Sequence, residues 1–177
     1  MHHTKLIIPI SLGVLGFLLF NSCTPKIPKG AVALSNFDSE KYLGKWYEIA
    51  RLDFRFEKDL NNVTADYSKK ANGAIKVLNR GFNSKKNKWV EAEGEAKPVG
   101  DKEVAKLKVS FFKPFWSGYN VIDIEDYTYA LVAGDSLDYL WILSREKTIP
   151  DEIKERFLNK ATGIGYDIQK LVWVEHD

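Results

Sequence analysis

Few groups in this chain are suited to covalent chemistry. Its 177 residues include one cysteine, Cys23, and three histidines, His2, His3 and His176. A thiol or hydroxyl nucleophile needs a base within hydrogen-bond reach, commonly an imidazole. A tetrahedral metal site of the common kind needs several Cys or His ligands. Two histidines open the chain and the third is the penultimate residue, where a frayed end is expected. No triad base and no His-based metal site is therefore expected. Carboxylate-only chemistry, as in glycoside hydrolysis, needs two acids held at a set separation. Glu48 and Asn79 are the only polar residues the strand patterns offer to an interior, and the direction of Glu48 is ambiguous. This inventory points to binding rather than catalysis, with no metal and no cofactor expected.

Cys23 belongs to a different chemistry. The chain starts weakly basic, with Lys5, and an apolar run follows from Leu6 to Phe20. That run is short of the ~20 apolar residues of a membrane span. A basic head, an apolar middle and a small residue before the cut make a secretory signal. Ser22 is the small residue, and Cys23 follows it. The arrangement resembles the bacterial lipobox, with Phe20 standing where Leu is usual. The resemblance implies cleavage after Ser22 and lipid attachment at Cys23, by thioether-linked diacylglycerol and a further amide-linked chain. One acyl chain holds a protein only marginally, whereas two or three hold it for long times. Thr24 follows the cysteine, rather than the Asp that would resemble an inner-membrane retention signal, and the lipobox resemblance then implies the outer membrane. The expected organisation is a signal peptide over 1–22, a lipidated Pro/Lys-rich tether over 23–35 and one domain over 36–177. The competing reading is an uncleaved anchor helix with a buried thiol.

Removing 22 residues leaves 155, enough for one domain with a full core. The whole chain carries 26 basic and 24 acidic side chains. Such a balance provides no field for nucleic acid. Lys69-Lys70 and Lys85-Lys86 read as solvated turns. No second cysteine is present, so no disulfide framework is expected. A homodimer is compatible with this composition.

The elements that must position these residues are strands. "KWYEIARLDF", "NVTADYSKK", "AIKVLNRGF", "KWVEAEGEAK", "AKLKVSFF", "GYNVIDIE", "YTYALVAGD" and "YLWILSR" follow one another at short spacing. Most alternate with period two: Leu107, Val109 and Phe111 fall on one face, Lys106, Lys108 and Ser110 on the other. Asn72-Gly73 between the second and third strands is a hairpin signal. One helix follows, with Pro150 at its first position, Asp151 and Glu152 in its first turn and Gly163 closing it. "LVWVE" is a short final strand. Eight meandering strands leave two open edges unless the sheet closes. The expected fold is all-β: an eight-stranded up-and-down antiparallel β-barrel, with one external C-terminal α-helix and a short final strand. A barrel of that size holds one small ligand.

Three segments make the expectation specific. "NFDSEKYLGKWYEIARLDFRFE" contains Gly44-x-Trp46; "DYTYALV" and "LWILSR", ending at Arg145, follow in order. Together they resemble the signatures of the lipocalin family, whose calyx is such a barrel. The bacterial outer-membrane lipoprotein group of that family, similar to apolipoprotein D and plant temperature-induced lipocalins, fits them together with the lipobox. The resemblance implies that Trp46 plugs the base, Gly44 lets the chain turn beneath it, and Arg145 lies across the tryptophan.

The cup is expected to be apolar. Tyr67, Val77, Val109, Phe111, Tyr119, Tyr139 and Trp141 are its candidate ligand-binding residues. At the rim, Arg55 and Lys58 would meet an anionic head group while Phe54 and Phe56 cover a tail; the plain alternative is a solvated loop. Phe115 and Trp116 look exposed on a Pro/Gly-flanked turn. The resemblance implies a membrane-anchored protein of the outer membrane, on its periplasmic face, that binds, stores or transports fatty acids or lysophospholipids for membrane maintenance. Two other readings stay open. One is an isomerase or de-epoxidase on the same barrel, using Glu48 and Asn79; the other is a structural lipoprotein with a filled cup.

Overall fold

The computed structural model describes residues 25–177. The expected signal over 1–22 and Cys23, the expected site of acylation, lie outside the described residues. The elements are α1 (Ser39–Tyr42), β1 (Gly44–Leu52), β2 (Leu60–Lys69), β3 (Ile75–Asn83), β4 (Lys88–Pro98), β5 (Lys106–Phe112), β6 (Phe115–Glu125), β7 (Tyr129–Ala133), β8 (Leu140–Ser144), α2 (Asp151–Ile164) and β9 (Leu171–Trp173). Strands β1 to β8 meander antiparallel, and β1 pairs with both β8 and β2, so the sheet closes into a barrel. The short β9 lies outside it, on the upper half of β1.

Closure follows from how β1 divides its edge. Gly44–Tyr47 pair with β2, whereas Ala50–Leu52 pair with β9. A bulge between Glu48 and Ala50 lets the strand bend away from β2. The chain end then fills the seam. Val174 N donates to Ile49 O, Asn62 N to Glu175 O, and His176 Nε2 lies 2.8 Å from Glu48 O. His176, expected frayed, is instead held edge-on to Tyr47.

Two apolar layers share the wall. Trp46, Tyr67, Val77, Leu107, Val121, Ala130 and Val132 pack inside the barrel. Ile122, Leu131, Leu140 and Ile142 face outward beneath Phe157 and Ala161 of α2. Phe157 and Ala161 are four residues apart and so share one helix face. That cover explains why β7 and β8 are apolar on both faces. Pro150 sits one residue before the helix, at its N-cap. The helix stops at Gly165 rather than the expected Gly163. Gly165 takes φ +109° and donates to Ala161 O and Thr162 O, a left-handed closure that favours glycine. The Asn72-Gly73 hairpin is present, with Asn72 Oδ1 accepting from Ala74 N.

The segment expected to be a free tether is packed from Pro25 onward. Ala31 is buried in the outer layer, Leu34 N donates to Val121 O, and Phe37 N donates to Glu103 O. Apolar residues at Ile27, Ala31 and Leu34 dock it on the barrel, which the Pro/Lys-rich composition concealed.

Candidate functional site: an apolar cup with a charged latch

The base of the barrel is sealed from the residues up. Asp38 caps α1 by accepting from Glu40 N and Lys41 N. The carbonyl of Tyr42 then accepts from Trp46 Nε1 at 2.8 Å. Gly44, at φ +90°, turns the chain under the fully buried Trp46. Arg145 covers that ring from below.

Above the seal, three hydroxyls form the floor. Tyr119 Oη lies 2.6 Å from Tyr42 Oη and 2.8 Å from Tyr67 Oη. Burial raises all three phenol pKa values above the ordinary 10, so the floor is uncharged. A stacked column rises from it. Tyr119 stacks on Trp141 at 6.5 Å between ring centres, and Trp141 on Tyr139 at 6.3 Å.

Over this floor opens a cavity of about 850 Å³. That is near the top of the ~300–1,000 Å³ range of small-molecule sites. Tyr67, Val109, Phe111, Tyr139 and Trp141 line it, as do Phe54, Arg55, Phe56 and Lys58 of the loop after β1. Val77 and Tyr119 do not. Both point inward, but Val77 is buried in the core packed below, and the Tyr119 ring is held under the cavity by its hydroxyl bonds. Phe54 packs edge-on against Tyr139 and Trp141, so the loop lies over the column. Of the turn aromatics, Phe115 is exposed, while Trp116 is half-buried beneath Lys97 and Lys108.

The bulge in β1 settles the ambiguity over Glu48. Glu48 pairs with Leu143 and Arg51 with Trp141, so both charged side chains share the inner face despite their odd spacing. Arg51 Nη1 donates to Glu48 Oε1 at 2.9 Å, and Nη2 to the carbonyl of Glu57 at 2.7 Å. Glu57 Oε2 in turn accepts from Trp141 Nε1 at 3.2 Å. The loop is thereby latched to the wall by a buried ion cluster. Burial, reinforced by the neighbouring Glu57 charge, pushes the Glu48 carboxyl well above its usual range; Glu57 is raised too, chiefly by burial. Asn79 lines the cavity, and its buried Oδ1 accepts no protein hydrogen bond. Arg51 and Glu57 carry no pattern that reveals them in sequence. They read as ordinary wall and loop residues until the bulge turns one inward and the loop folds back.

A family of lipocalin-like domains matches residues 37–176. The chain is 48% identical over 171 residues to the outer membrane lipoprotein Blc of Citrobacter freundii, covering 96% of this chain and 97% of that protein. It is 38% identical over 152 residues to apolipoprotein D of Macaca fascicularis, covering 80% of this chain and 78% of that protein. Insecticyanin of the tobacco hornworm Manduca sexta shares the fold at a TM-score of 0.69 and 18% identity, over 87% of this chain and 88% of that one.

Proposed function

Because this chain belongs to the lipocalin family, we propose that it is an outer-membrane lipoprotein, anchored through Cys23, that binds fatty acids or lysophospholipids in its cup. The observation carrying the reading is the cavity itself: about 850 Å³, floored by uncharged tyrosines and walled by Phe111, Trp141 and Phe54. The likeness to a protein named as an outer membrane lipoprotein, across 96% of the chain, supports the compartment.

An acyl tail suits this wall. Burying roughly 16 methylene-sized groups at about 0.8 kcal/mol each gives roughly 13 kcal/mol gross. Ordering the tail and losing free motion consume much of this, leaving an affinity on the order of micromolar. The head group stays at the rim, since an unpaired carboxylate is costly to bury. Arg55 and Lys58 are exposed there to meet it. We read the site as a binding site, not a catalytic one: Glu48 already serves as the partner of Arg51.

The reading is tested by native mass spectrometry of the protein from its own host, with titration of tryptophan fluorescence by a lysophospholipid. A co-purified lipid and saturable quenching are expected. An empty cavity that no acyl lipid fills overturns it.

A further inference from the structure

Three phenylalanines stand out of the mouth. Phe56, Phe112 and Phe115 are 62%, 68% and 77% exposed, and all three border the cavity opening. Phe112 and Phe115 pair across the β5–β6 turn, and the Phe112 ring lies 6.3 Å from that of Phe56. They form one protruding apolar tip rather than scattered exposed side chains. Such tips on a soluble surface mark a partner or a membrane.

Cations flank the tip. Lys58 and Lys86 are exposed and form no ion pair among the described residues. Arg55 lies over the Phe56 ring at 4.4 Å. The acids nearby are engaged: Asp59 by Lys85, and Asp53 by Arg51.

The chain's path identifies the occupant. Lys26 N donates to Asp135 Oδ1 at 2.9 Å, and Lys26 O accepts from Asn120 Nδ2 at 3.2 Å. Asp135 and Gly118 both border the mouth. A Cβ on Gly118 would meet Lys26 O at 2.5 Å, so only glycine admits this close pass. Lys26 is therefore pinned at the open end of the barrel. Cys23 precedes it by three residues, at most about 11 Å of extended chain.

We propose that the mouth is a docking face for a lipid bilayer, with Phe56, Phe112 and Phe115 in the interfacial layer and Lys58, Lys86 and Arg55 against lipid phosphates. The inference rests on acylation of Cys23 for its tether. The pinned Lys26 then holds the cup mouth-down, so that an acyl lipid passes between bilayer and cavity without crossing water.

The test is lysine footprinting of the full mature lipoprotein in vesicles of phosphatidylethanolamine and phosphatidylglycerol. Acetylation of Lys58 and Lys86 is compared with that of Lys41 and Lys102 near the sealed base. At least threefold slower labelling of the mouth pair is expected. Replacing all three phenylalanines by serine should remove most of that difference, with the melting temperature reporting on the fold. Equal labelling at both ends of an acylated chain overturns the proposal. Intact mass reports acylation separately, and native mass spectrometry reports cavity lipid. If Cys23 carries no acyl group, the anchor reading fails alone, and the footprint of that chain with added vesicles decides the docking face. A dimer abolished by the serine substitutions, with no vesicle-dependent protection, assigns the face to a second copy and overturns the proposal.

Discussion

The Arg145 guanidinium lies 3.8 Å from the centre of the Trp46 ring. It also donates to the carbonyls of Lys41, Leu43, Lys45 and Tyr127. One side chain thus ties the end of α1, the start of β1 and the β6–β7 turn across the plug. Replacing Arg145 by Ala should cost about 2–3 kcal/mol, from the lost cation–π contact and freed carbonyls. Lys should restore less than half, because an ammonium cannot fork to several carbonyls. Denaturant midpoints at unchanged slope measure both.

Trp141 joins the column to the latch. Trp141→Ala removes two stacked neighbours and the Nε1 donor to Glu57. Acyl-lipid affinity should fall about tenfold, equivalent to ~1.4 kcal/mol, while the barrel stays folded. Calorimetric titration with circular dichroism as a control measures this.

Arg51 is the single cation among buried acids. Arg51→Met leaves Glu48 and Glu57 without it and should destabilise by about 3–5 kcal/mol at neutral pH. Pairing it with Glu48→Gln should recover part of the loss, which a double-mutant cycle reads directly.

Stability should peak in mildly acidic solution. The folded state holds the Glu48 proton more tightly than the unfolded chain, whose ordinary value is about 4.5. That contribution is full below pH 4.5 and is lost as pH rises through the raised value. Glu95 behaves oppositely. Hydrogen bonds from Lys70, then Lys97 and Lys113, hold it down at about 2, so its contribution is present above pH 4.5 and lost as pH falls toward 2. Glu48→Gln should flatten the decline on the alkaline side, and Glu95→Gln the decline on the acid side. Melting temperatures from pH 2 to 8 check both.

Local physics made the barrel legible in the residues. Alternation such as Leu107, Val109 and Phe111 against Lys106, Lys108 and Ser110 needs only the two-residue period of a strand. Asn72-Gly73 marks its turn by φ preference alone. Much of the wall was legible too: Tyr67, Val109, Phe111, Tyr139 and Trp141 border the cavity. Val77 and Tyr119 show the limit of parity. It tells which face a side chain takes, not how deep it stands.

What only the tertiary structure decided lies wherever non-neighbours meet. The bulge at Glu48–Ala50 breaks the period and turns Glu48 and Arg51 inward together. The loop bearing Glu57 folds back onto Trp141, 84 residues away. Residues 25–37 pack on the wall instead of hanging free, because Ala31 and Leu34 find partners only once the barrel exists. By itself the sequence determined the run of eight strands and the greasy face of each, since both follow from spacing along one segment. Cavity depth, the ion latch and the pinning of Lys26 at the mouth arise from long-range contacts, and no local pattern encodes those.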